Sequence, residues 1–153
     1  MDAMRTTRFF LISIIAMLLS ACTVQLISNF NSSMVNQLQT IQQQINTILI
    51  TDRSTFGLKK AAPVTSAASK FINIQVVMTD MLSTARAISN NETTIKQLLI
   101  LQKSIAQLIA LKAAGFKSKA EITLLIATIN DDFTSVYELQ DLKRSYLKTG
   151  VPV

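Results

Sequence analysis

Apolar residues recur at intervals of three and four along most of this chain, and few helix-breaking residues interrupt them. Apolar residues make up 49% of the sequence, which contains only 3 glycines and 2 prolines. These breakers fall at Gly57, Pro63, Gly115, Gly150 and Pro152. Because such spacing lines one face of a helix, it predicts long amphipathic helices that end near the breakers. No run of alternating residues is long enough to predict a sheet.

Four segments each carry one apolar stripe. The stripes are Met34, Leu38, Ile41, Ile45 and Ile48; then Phe71, Ile74, Met78, Met81, Ala85 and Ile88; then Ile95, Leu98, Leu101, Ile105, Leu108 and Leu111; and finally Ile122, Leu125, Ile129, Phe133 and Val136. Four such helices with short connections are typical of an all-α, up-down four-helix bundle.

Capping signals set the expected helix boundaries. We expect the first helix to run from about Val24 to Ile50, with Ile27 and Phe30 extending its stripe, and a long break to cover residues 52–65. The second helix should begin near Thr65 or Ser66. Asn90 or Asn91 should cap the third, Gly115 should end it, and Ser118 with Glu121 forms a capping box for the fourth. Lys143, Arg144 and Lys148 suit the fourth helix's C-terminus, where cations are favourable.

The N-terminus has the layout of an export signal. Arg5 and Arg8 precede an apolar run over residues 9–19, and Leu19-Ser20-Ala21-Cys22 follows. The run is too short to cross ~30 Å of hydrocarbon, although an uncleaved helix reaching Ile27 is an alternative. In either case, two arginines before the apolar run direct the rest of the chain out of the cytoplasm.

The four residues ending at Cys22 resemble the lipobox of bacterial lipoproteins. This resemblance implies a signal peptide over residues 1–21 and a lipid-anchored domain over residues 22–153. It also implies diacylglycerol on the Cys22 thiol and acylation, commonly by palmitate, of the new amino terminus. Thr23, where a retained lipoprotein would have Asp, implies the outer membrane facing the periplasm. Two or more acyl chains would hold the protein stably on a membrane.

The residue inventory favours a protein that is not an enzyme. The sequence has no histidine, and its one cysteine is the expected lipid site. The commonest general base and a usual nucleophile are therefore missing. We predict no cofactor and no metal. Removing Arg5, Arg8 and Asp2 from 15 basic and 9 acidic residues leaves a net charge of +5, which is dispersed rather than concentrated as nucleic-acid binding requires.

The remaining hypotheses are an interaction, scaffold or pilot-like lipoprotein of the envelope, an exclusion or immunity lipoprotein that blocks an envelope target, and a membrane-active helical protein. We favour the first, with an envelope protein or a second copy as the partner. Residues 23–51 carry no charge, and the third and fourth segments have more apolar residues than one stripe needs. The predicted interaction surface comprises Gln37, Gln42, Gln44, Leu99 and Ile109. Removing a neutral side chain from water into an interface costs less free energy than removing a charged one.

Overall fold

The computed structural model describes residues 28–58 and 64–149. They form four helices, α1 (Ser32–Thr55), α2 (Val64–Arg86), α3 (Glu92–Ala114) and α4 (Lys119–Thr149), and this part of the chain contains no strand. The helices form a closed ring in which α1 and α3 each pack against both α2 and α4. Short turns join α2 to α3 and α3 to α4, so the helices alternate in direction. The predicted all-α four-helix bundle is confirmed.

The four predicted stripes meet along the bundle axis. Their central members are buried, including Leu38, Ile74, Leu108 and Phe133, each with 0% of its surface exposed. Other stripe members, such as Ile95 and Leu125, are half-buried against this core. Burial of one stripe per helix therefore accounts for the fold, because each apolar side chain moved out of water contributes roughly 1.5–3 kcal/mol.

The first helix is displaced along the chain from its predicted position. It begins at Ser32 because the side chain of Asn31, in an extended conformation, caps it by accepting from the Met34 N–H at 3.0 Å. Phe30 therefore precedes the helix, while residues 24–27 lie outside the described ranges. At the other end the helix continues through Asp52 to Thr55, so the predicted break over residues 52–65 is too long.

The other boundaries lie close to prediction. Helix α2 begins at Val64, slightly before the expected cap, and Gly115 ends α3 with a φ of +85°. Ser118 Oγ accepts from the Glu121 N–H at 3.1 Å, while the Glu121 carboxylate accepts from the Lys117 N–H. In a standard capping box the Glu121 carboxylate would accept from the N–H of Ser118, whereas here it accepts from the residue before it. Within residues 28–58 and 64–149, no helix has both the length and the apolar character needed to cross a bilayer.

Candidate functional site

A buried lysine lies at the end of the bundle where α1 and α3 begin. Lys143, near the C-terminus of α4, has only 4% of its surface exposed. Its Nζ donates to Ser28 Oγ at 2.5 Å, to Asn91 Oδ1 at 2.7 Å and to Thr94 Oγ1 at 2.5 Å. These three acceptors match the three protons of an ammonium group. We call Ser28, Asn91, Thr94 and Lys143 the lysine cage.

The lysine cage satisfies the amine without neutralising its charge. All three acceptors are neutral oxygens, and the one salt bridge in the described part of the chain joins Lys112 to Asp52. Burial therefore lowers the pKa of Lys143 to about 8. Lys143 lies near the C-terminus of this helix, as predicted, but it is buried there, which the sequence analysis did not anticipate. Removing the amine from water costs stability while it is charged.

The lysine cage connects the segment before α1 to the other three helices. Ser28 Oγ donates to Asn91 Oδ1 at 2.6 Å, and the Ser28 N–H donates to the Asn90 carbonyl at 3.2 Å. The Asn91 amide is oriented in turn by donating to the Ala85 carbonyl at 2.8 Å. Asn91 is the N-cap residue of α3, as predicted. Its side chain, however, binds Ser28 and Lys143 rather than the N–H groups of the helix.

Two further contacts hold the same N-terminal segment against α4. The Arg144 guanidinium lies 4.4 Å from the centre of the Phe30 ring, within the range of a cation–π interaction. The Asn31 N–H donates to Gln140 Oε1 at 3.4 Å. The chain is therefore fixed in position from Ser28 onward, well before the first helix begins.

Two pockets lie beside the contact between α1 and α2. These two helices are the least closely apposed of the four neighbouring pairs. The larger pocket, near the C-terminus of α1, has a volume of about 590 Å³ and is also lined by α3; Ile48, Phe71 and Ile109 are among its apolar lining residues. The smaller pocket, nearer the N-terminus of α1, has a volume of about 260 Å³ between Gln37 and Val77. The bundle thus leaves one of its four seams partly open.

The surface beside the smaller pocket is uncharged, whereas Asp52, Lys70 and Lys112 line part of the larger one. Helix α1 has no ionisable residue between Ser32 and Thr51, and α2 has none between Phe71 and Thr79. Two large apolar side chains of α2 are exposed there, Ile72 at 62% and Val76 at 53%. We call the outward surface formed by residues 32–51 of α1, excluding the side that contacts α4, and by residues 71–79 of α2 the neutral face.

The opposite side of α1 has a polar contact with α4. Asn130 Oδ1 accepts from Gln42 Nε2 at 2.8 Å and from Asn46 Nδ2 at 3.1 Å, while the Tyr137 hydroxyl donates to Gln42 Oε1 at 3.0 Å. Burial raises the pKa of Tyr137. These side chains bind one another without any charge, so they fix the register of α1 against α4 inside the molecule.

The structure separates the residues of the predicted interaction surface. Gln37 is exposed on the neutral face, and Gln44 is half-buried beside it in the smaller pocket. Gln42 lies instead in the contact with α4. Leu99 is 41% exposed on α3, whereas Ile109 is half-buried against the core and lines the larger pocket. Cys22 lies outside the described residues.

Sequence reasoning missed the buried polar residues of α4. Gln140 and Lys143 are 1% and 4% exposed, and they follow Ile129, Phe133 and Val136 at the same intervals of four and three. The helical spacing alone could therefore have placed them in the core. Their polarity concealed this, since lysine and glutamine are seldom fully buried.

Neither a metal-binding cluster nor a similar protein points to a further site. Among the described residues, no group of three or more histidine, cysteine or carboxylate side chains could hold a metal ion. Comparisons with protein-family models, curated proteins and solved structures give no match to this chain.

Proposed function

We propose that this chain is a lipid-anchored protein of the bacterial cell envelope whose helical bundle binds a protein partner, either another envelope protein or a second copy of itself, close to the membrane. The signal at residues 1–21 and the lipobox at Cys22 support the anchor. The dispersed charge and the lack of histidine support a binding role rather than catalysis. Acylation of Cys22 would place the domain in the periplasm, on the outer membrane according to Thr23.

The observation that carries the proposal is the fixed position of Ser28. Only six residue steps separate it from Cys22, and an extended chain spans at most about 3.3–3.6 Å per residue. The lysine cage is therefore held within ~20 Å of the acyl chains. This geometry restricts the bundle to partners at or beside the same membrane.

The anchor is tested by intact-mass analysis of the wild type and Cys22→Ser after expression in a bacterium that acylates lipoproteins. We expect the wild type to lack residues 1–21 and to carry the acyl mass. Cys22→Ser should remain an unacylated precursor in the inner membrane. A wild-type protein that keeps its leader and has no acyl mass would refute the anchor.

The binding role is tested in the same cells with a photo-reactive residue at Gln37, on the neutral face, and at Lys103, on the outer side of α3. Both positions are exposed, so they make a matched pair. We expect a discrete protein adduct from position 37 and none from position 103. Equal adduct patterns from both positions would contradict a specific binding surface.

A further inference from the structure

We infer that the neutral face is a self-association surface, and that its occupant is the neutral face of a second copy anchored in the same membrane. This inference deepens the proposed function and rests on it for the shared membrane.

The charge distribution favours a second copy. The mature chain has a net charge of +5, so two copies repel each other at most orientations. Charged side chains such as Lys96, Lys103 and Asp131 are exposed on α3 and α4. The neutral face brings no like charges together and requires no charged group to lose its water. A partner of opposite charge would be better recognised through the basic residues elsewhere.

The fixed position of Ser28 gives the two copies a common orientation. The lysine cage holds Ser28 at the end of the bundle where α1 begins, and the neutral face extends along α1 from that end. Two copies anchored in one membrane therefore have the same end directed at the membrane and can bring their neutral faces together sideways. A two-fold axis along the membrane normal pairs identical surfaces, which is the commonest symmetry of protein dimers.

The area of the neutral face indicates how strong this association is. At 1.5 Å per residue and about 10 Å per helix width, the uncharged stretches of α1 and α2 cover roughly 400 Å² per copy. A pair then buries roughly 800 Å², below the 1,200–2,000 Å² of a standard interface. Such a contact is weak in solution, and it becomes populated when anchoring concentrates the copies on one membrane.

Chemical cross-linking of the acylated protein in its membrane tests the inference. Acylated Cys22 has no thiol, so an introduced cysteine is the only reactive one. Gln37→Cys should give a dimer of this chain with a short bis-maleimide, identified by mass, whereas Lys103→Cys should give none. Adding Val76→Glu should reduce the Gln37→Cys dimer about tenfold or more, because a charge must then lose its water in the contact.

Leu124→Glu is the matched control for Val76→Glu. Leu124 is 69% exposed on α4, outside the neutral face, so the same charge placed there should leave the dimer unchanged. Circular dichroism of both variants should match the wild type, since both replaced side chains are more than half exposed.

Three results would overturn the inference: no dimer from position 37, equal dimers from positions 37 and 103, or a position-37 adduct that contains a different protein. Acyl mass is read from the same samples, so failure of the anchor is recognised separately. An acylated protein without a position-37 dimer refutes self-association and leaves the anchor standing.

Discussion

The unneutralised amine of Lys143 should give this protein an unusual dependence of stability on alkaline pH. Its pKa is about 8 in the folded state, because of burial, against 10.5 when exposed. Between these values the unfolded chain binds more protons than the folded chain. The free energy of unfolding therefore rises with pH across this window. Replacing Lys143 with Met removes the titrating group and the rise with it.

The size of the effect follows from the shift in pKa. One unit corresponds to about 1.36 kcal/mol, so between pH 7 and pH 10 the wild type should gain roughly 2–3 kcal/mol relative to Lys143→Met. Tyr137, whose pKa is raised by burial, lowers stability at still higher pH. Its contribution is present in both proteins and cancels in the difference.

Urea unfolding followed by circular dichroism measures this difference at pH 7, 8, 9 and 10, using the chain from Thr23 onward. Lys148→Met is the matched control, because Lys148 is an exposed lysine in the same helix. It should follow the wild type at every pH. If the difference in unfolding free energy between the wild type and Lys143→Met stays constant from pH 7 to pH 10, the amine of Lys143 is not buried without a neutralising partner.

Three further substitutions test the core, a cap and the contact between α1 and α4, each by urea unfolding at pH 7. Leu108→Ala, at a fully buried site, should cost about 2–5 kcal/mol of unfolding free energy. The control Leu124→Ala, at an exposed site, should change it by less than about 0.5 kcal/mol. Similar losses from the two substitutions would place Leu108 outside the core. Ser118→Ala should cost about 0.5–2 kcal/mol by removing the cap of α4, and Ser118→Thr should restore most of it. Tyr137→Phe removes the hydrogen bond to Gln42 and should cost about 0.5–1.5 kcal/mol, so an unchanged stability would show that the bond contributes nothing.

The fold itself was predictable from the sequence because it depends on a repeated local pattern. Residues such as Leu38, Ile74 and Phe133 were assigned to the core from spacing alone, and all three are fully buried. Helix packing tolerates many side chains as long as the apolar face is continuous. Gly115 and Ser118 ended α3 and began α4 as predicted, because caps act through neighbouring backbone groups.

Helix α1 shows where local prediction failed. Apolar residues before Ser32 continued its pattern, but Asn31 caps the helix, and Ser28 binds residues that are 63 and 115 positions away. Contacts of this kind have no local signature. At the other end, Thr55 Oγ1 donates to the Thr51 carbonyl at 2.8 Å within the last turn, in a region that composition had assigned to a loop.

Tertiary structure also decided the roles of the polar residues. Lys143 is in phase with the stripe of α4, which the sequence analysis overlooked, and only the assembled bundle supplies Ser28, Asn91 and Thr94 as its acceptors. Likewise the sequence showed that α1 is uncharged, without showing which side of it binds α4 and which remains open. Gln42 and Gln37 are alike in chemistry and differ only in position around the helix. The apolar pattern determined that four helices would pack together. The packing then determined which polar groups are buried in contacts and which remain exposed for binding. The physical reason is that the role of a polar side chain depends on the residues that the fold places beside it.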